Sequence, residues 1–173
     1  MLREIACKTL VGRGKENYSF QKNIFINEYI SKTLGCWIIN LKYETDIKGK
    51  KVILKGSFDI QIWYAENNNQ KSEVYVETVE FLEDINIGYR DVKTLNDVIY
   101  PAVYINKYPT CVSMDLKDNK EIDLKIEALF YIEVFQEAVV VVDCKEDYQE
   151  ELSLEEEIAL NVNPKYIENK DEN

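Results

Sequence analysis

Two sets of side chains could do chemistry: the strand-embedded carboxylates Asp59, Glu77, Glu80 and Glu127, and the thiols Cys7, Cys36, Cys111 and Cys144. Two carboxylates held within several ångströms perform glycosidase-like acid and base work. The sequence fixes no distance between these four, and Lys55 and Lys125 nearby fit the plainer reading of solvated sheet faces with cross-strand ion pairs. The chain contains no histidine, which excludes Ser-His-Asp and Cys-His catalysis, His-ligated zinc and an imidazole switch near neutral pH. Gly12-Arg13-Gly14 has the start of a phosphate loop, but no third glycine or helix follows, so loop or bulge glycines are the simpler assignment. The sequence nominates no catalytic residue, no metal ligand and no cofactor.

The cysteines, at positions 7, 36, 111 and 144, lie 29, 75 and 33 residues apart and include no C-x-x-C pair. Zinc binding and redox cycling therefore lack their usual signature. Two readings stand: small core or surface residues, or thiols that cross-link chains once the surroundings become oxidising. Cys36, inside an apolar stretch, is expected to be buried and inert. Cys144, beside Lys145, is expected to be accessible, with its thiolate mildly favoured by the neighbouring charge. Trp37, Trp63 and twelve tyrosines suffice for a sugar-stacking platform, yet strand aromatics also build cores and interfaces. Tyrosine supplies contact area with a polar handle and a phenol open to oxidative coupling, which favours an assembling protein.

These groups must be positioned by strands. Val52, Leu54, Phe58, Ile60, Ile62 and Tyr64 share one parity and Lys55, Ser57, Asp59 and Gln61 the other, the alternation of a half-buried strand. Gly56 inside it points to a bulge or a close backbone approach. The turn-rich segment 66–72 leads to Glu73–Phe81, with Tyr75, Val79 and Phe81 on one parity, which makes a hairpin. Further strands are expected over Arg3–Gly12, Tyr18–Ile26, Gly35–Tyr43, Asp84–Arg90, Val98–Tyr108 and Thr110–Leu116. After a turn at Asp118-Asn119-Lys120 come Ile122–Ala128 and Val139–Val142. Pro101 and Pro109 belong at edges, bulges or strand ends, since they cannot donate to a ladder. The expected fold is all-β, an antiparallel sandwich or barrel-like domain of about 8–10 strands.

Lys+Arg 21 against Asp+Glu 32 gives a net charge of −11, the wrong sign for a non-specific binder of nucleic acid or anionic membrane. The longest apolar runs, Ala128–Ile132 and Ala138–Val142, fall far short of the roughly 18–20 residues that a spanning helix needs. The first residues carry charges where an export signal has its apolar stretch, so a cytosolic site of synthesis is expected. The charge is uneven: residues 145–173 hold three lysines and ten acids, or −7, leaving 18 minus 22, or −4, for residues 1–144. The chain thus divides into a body, 1–144, and an acidic tail, 145–173.

In the tail, Ser153-Leu-Glu-Glu156 has capping-box spacing, which predicts a short helix over about 154–160. Tyr148, Leu152, Leu154, Ile158 and Ala159 share one broad side of it. The segment 161–167, with Asn163, Pro164, Tyr166 and Ile167, reads as extended. It either folds back on the body or serves as a docking peptide for another protein.

Leu34-Gly35-Cys36-Trp37-Ile38-Ile39-Asn40-Leu41-Lys42-Tyr43, then Gly56-Ser57-Phe58-Asp59-Ile60-Gln61-Ile62-Trp63-Tyr64, then Tyr89-Arg90-Asp91, resemble the outer spore coat protein E (CotE) family of endospore-forming bacteria. Arg3-Glu4-Ile5, Pro109-Thr110-Cys111, Val139–Val142 and the acidic tail with Asn163-Pro164-Lys165-Tyr166 extend the likeness over nearly the whole chain. The resemblance implies a morphogenetic scaffold without catalytic activity. Such a scaffold is made in the mother-cell cytoplasm, self-associates around the forespore, and recruits outer-coat proteins onto an inner basement-layer morphogenetic protein. It also implies that the acidic region, here about 146–167, docks other coat proteins. A carbohydrate-binding β-sandwich is the alternative, and it requires an exposed tryptophan or tyrosine cluster on one face.

Overall fold

A computed structural model of the chain describes residues 2–66 and 68–144. Seven strands account for nearly all of them: β1 (Leu2–Phe25), β2 (Ile30–Lys48), β3 (Lys51–Glu66), β4 (Lys71–Asn86), β5 (Gly88–Tyr89), β6 (Lys93–Lys117) and β7 (Glu121–Asp143). They form two sheets, a four-stranded one ordered β5-β1-β7-β6 and a three-stranded one ordered β2-β3-β4. Residues Ile5–Val140 are the compact unit that carries both sheets, and the described residues 2–4 and 141–144 fall outside it. Among the described residues no helix is long and apolar enough to cross a membrane.

Alternation explains both central strands. In β7 the buried side chains are Ile122, Leu124, Ile126, Ala128, Phe130, Ile132, Val134, Gln136 and Ala138, every second residue. In β3 the alternating set is Val52, Leu54, Phe58, Ile60, Ile62 and Tyr64, and Ala65 and Glu66 are buried at the strand's end. Each strand thus turns one face inward, and the two inner faces meet in a single core with Tyr18, Val79, Phe81 and Ile85. Aromatic rings fill its centre: Phe81 stacks on Phe130 at 5.9 Å and Tyr18 meets Phe58 edge-on at 6.2 Å between centroids.

The all-β, two-sheet reading of the sequence is borne out, with fewer and longer strands. Arg3–Gly12 and Tyr18–Ile26 are one strand, as are Val98–Tyr108 with Thr110–Leu116 and Ile122–Ala128 with Val139–Val142. Breaks in apolar alternation suggested ends where the ladder only shifts register, as between Lys107 and Thr110 around Pro109. Both Pro101 and Pro109 lie on β6, an edge strand, the place in a sheet where proline is tolerated. The hairpin across 66–72 forms as expected, Glu66 pairing with Lys71. Gly12 and Gly14 lie inside β1 rather than in a loop; a Cβ on either would strike Ile87, at 2.6 and 2.7 Å.

Gly56 is the clearest sequence-level expectation fulfilled. A Cβ there would stand 2.2 Å from the Lys42 carbonyl oxygen and 2.7 Å from the Phe81 ring. Opposite it, the β2–β3 register shifts between Ile39 and Lys42, and Asn40 takes a positive φ of 55°. The glycine therefore admits a bulge of β2 toward the sheet.

Candidate interaction surface

On the outer face of the three-stranded sheet, opposite residues in adjacent strands point the same way. The register places Trp37 across from Gln61 and Gln61 across from Val76, with Trp63 between Gly35 and Val74. Trp63 has the parity opposite to the buried set of β3, which sends it outward. Gly35 makes room for Trp37, whose ring lies where a Cβ on that glycine would be, 2.7 Å away. The two indoles meet edge to face, 6.4 Å between centroids at 90°.

The result is an apolar patch in solvent: Trp37 is 51% exposed, Trp63 39% and Val76 52%, with Val74 and Ile39 beside them. Its rim is polar and fixed. Asp59 accepts hydrogen bonds from Thr78 Oγ1 at 2.6 Å and Asn40 Nδ2 at 2.7 Å; these donors hold its carboxyl below the usual range. Apolar centre and hydrogen-bonded rim are the anatomy of a protein-binding patch. A second exposed row, Tyr100, Tyr104 and Tyr108, runs along β6, with Lys8 Nζ 3.6 Å from the centre of the Tyr100 ring.

The four carboxylates are spread over both sheets. Asp59 and Glu80 lie on the outer face of the three-stranded sheet and Glu127 on the outer face of the four-stranded one, where Lys125 and Lys107 bind it at 2.8 and 3.1 Å. These two lysines hold Glu127 below its ordinary value. Glu77 points inward: burial pushes its carboxyl up, but an ion pair with Lys22 and the Tyr75 hydroxyl, donating at 3.0 Å, outweigh this and leave it lowered. Lowered values suit counter-ions and oppose proton donation. An open groove of about 660 Å³ beside Lys42, Gly56 and Leu82 holds two acids, Glu44 and Glu80, the first of them bound by Lys55 at 2.9 Å.

Of the thiols, Cys7 is exposed, while Cys36, Cys111 and Cys144 are half-buried. The tail residues expected to dock partners, Tyr148, Leu152, Leu154, Ile158, Asn163, Pro164, Tyr166 and Ile167, lie outside the described residues. Sequence reasoning missed the exposed patch as a unit. The parity of Trp63 carried half the signal; the register that sets Trp37 near it is not written locally.

A family model described as outer spore coat protein E (CotE) matches residues 1–172. No curated protein and no solved structure matches the chain.

Proposed function

Because the chain belongs to the outer spore coat protein E family, a structural family of the spore coat, we propose that it is a scaffold that binds copies of itself and recruits other coat proteins. The observation that carries self-association is the exposed Trp37–Trp63 patch with Val74 and Val76. Large rigid aromatics at the centre of an apolar patch are the residues that anchor interfaces. The edge of β4, by contrast, carries Lys71, Glu73, Glu77, Glu80, Glu83 and Asp84, charges that discourage strand-to-strand pairing. Contact through the sheet face is therefore favoured over contact through this edge. With −4 on residues 1–144, copies of the body approach one another at modest electrostatic cost.

The acidic tail, 145–173, is the recruiting arm in this reading. Its repulsive charge keeps it solvated and available to outer-coat proteins and to the basement-layer morphogenetic protein. The protein is made in the mother-cell cytoplasm and ends in the spore coat.

Sedimentation of the full chain tests the interface. Val76→Lys and Trp37→Ala should each weaken self-association, by roughly 30-fold for a hot-spot aromatic, while leaving thermal stability nearly unchanged because both sites are exposed. An unchanged association constant in both variants would remove this face from the assembly. A carbohydrate-binding reading is favoured by the same indole pair, but the perpendicular rings offer a sugar no single flat stacking face. Tryptophan fluorescence that shifts with spore or cell-wall glycans, and returns on dilution, would support it instead.

A further inference from the structure

Cys36 and Cys111 are 75 residues apart in sequence and sit on edge strands of different sheets, Cys36 on β2 and Cys111 on β6. Their registers give their directions. Cys36 pairs with Ile62 and Cys111 with Ile126, and both isoleucines are fully buried on the inner faces of their sheets. Directly opposed residues share a face, so both thiols point into the space between the sheets. Both pack against the common core, strands β2 and β6 lie against each other, and Cys111 is near enough to Cys36 to act on its thiol. Cys111 in turn donates to the Ser113 carbonyl at 3.2 Å, which fixes its sulfur at the seam.

We propose that Cys36 and Cys111 form one intrachain disulfide that joins the two sheets when the protein meets a hydroperoxide. Both residues are only half-buried, so a small oxidant reaches them. The thiolate of one cysteine attacks the peroxide O–O bond and takes one oxygen to become a sulfenic acid, the other oxygen leaving as water from hydrogen peroxide or as the alcohol from an organic hydroperoxide. The second sulfur then displaces the sulfenic oxygen as water. Two S–H bonds are lost, one S–S bond forms, and the peroxide accepts both electrons. Burial, followed by the neighbouring Cys111, pushes the Cys36 thiol up to about 12. Cys36 therefore keeps its proton at neutral pH. Chain-to-chain cross-linking, where it occurs, is then left to the exposed Cys7 and to Cys144. The inference does not rest on self-association, because the bond forms within one chain.

The test uses the full chain, dilute, treated with hydrogen peroxide, alkylated and digested with trypsin. Thr33–Lys42 and Tyr108–Lys117 are tryptic peptides that each hold a single cysteine. The expected product is these two peptides joined, recovered from material that runs as a monomer without reductant, at a rate unchanged by dilution. The same link should form in a Cys7→Ser/Cys144→Ser protein, which retains both reacting thiols. Its oxidised form should melt roughly 10 °C above its reduced form, and reductant should reverse the rise. Recovery of Cys36 or Cys111 chiefly in chain-to-chain links, or alkylation of both after Cys7 has been oxidised, would overturn the proposal. Both outcomes are read per chain, so they stand whether or not the Trp37 face assembles.

Discussion

Asn119 and Ile30 bind each other twice: the Ile30 N–H donates to the Asn119 carbonyl at 2.8 Å, and Asn119 Nδ2 donates to the Ile30 carbonyl at 2.9 Å. Asn119 is at the tip of the β6–β7 hairpin and Ile30 opens β2, so this reciprocal pair ties the end of one sheet to the start of the other. Ile26 adds a third bond, its N–H donating to the Lys120 carbonyl at 2.8 Å. The turn suits asparagine for a second reason, since Asp118 and Asn119 have positive φ of 46° and 56°, as a type I′ turn demands.

Asn119→Ala should therefore destabilise the protein by roughly 1–3 kcal/mol, losing the side-chain donor and straining a left-handed backbone position. Asn119→Gly removes the donor but relieves the strain, and should fall between the two. Urea unfolding of the three proteins checks the order. Equal stability for alanine and wild type would show that the backbone bonds alone hold the junction.

Gly56 and Gly49 should respond oppositely in kind. At Gly56 the obstacle to a Cβ is the Lys42 carbonyl, a backbone atom 2.2 Å away, and no side-chain rotation relieves it. Gly56→Ala should cost roughly 2–3 kcal/mol through overpacking and loss of the β2 bulge. At Gly49, in the β2–β3 turn, nothing lies within 4 Å, but φ is +62°; alanine there should cost only about 1 kcal/mol of backbone strain. Chemical denaturation distinguishes them, and a larger loss at Gly49 would contradict the bulge as the reason for Gly56.

What was legible in the sequence follows from how local each signal is. The alternation in β3, and in β7 over Ile122–Ala128, is local and marked the inner face there, whereas the inner face of β7 from Phe130 to Ala138 was not read. Gly56 broke an otherwise regular strand and so announced a close approach. The turn at Asp118-Asn119-Lys120 was legible, whereas its grip on Ile30 was not, because the partner lies 89 residues away. The meeting of Cys36 with Cys111 escaped for the same reason. It depends on which strands become neighbouring sheet edges, and strand order is a property of the assembled core. The continuity of β1 through Gly12 and Gly14 was hidden too, since missing side chains there accommodate Ile85 and Ile87 rather than end the strand.

Two inward-facing glutamates on β4 should give opposite pH behaviour. Glu77 is pushed up by burial but lowered overall by Lys22 and Tyr75, so its charged form stabilises the fold above the unfolded value of 4.5. That contribution fades as pH falls through the depressed folded value. Glu77→Gln should cost roughly 1–2 kcal/mol at pH 7. Glu83 is raised by burial first and then by Glu16 and Asp84, so its charge weakens the fold at neutral pH. Glu83→Gln should stabilise at pH 7, with a gain that shrinks as pH falls past the raised value toward 4.5. Thermal melts from pH 4 to 8 read both curves, and parallel curves for the two variants would refute the assignment.

The division of charge between body and tail makes a prediction independent of any single contact. Truncation before Asp147 removes acids at 147, 150, 151, 155, 156, 157, 168, 171 and 172 and lysines at 165 and 170, a loss of −7. The remaining 146 residues carry −4, from 18 minus 22 with the Lys145–Glu146 pair cancelling. If the Trp37–Trp63 face joins copies of the body, truncation should leave self-association intact. At low salt it should strengthen it modestly, because repulsion between tails has been removed, and the difference should vanish at high ionic strength as the charges are screened. Light scattering at two salt concentrations measures both effects. A monomeric truncated protein would place the self-association determinant in the tail and leave the exposed indoles to a partner other than this chain.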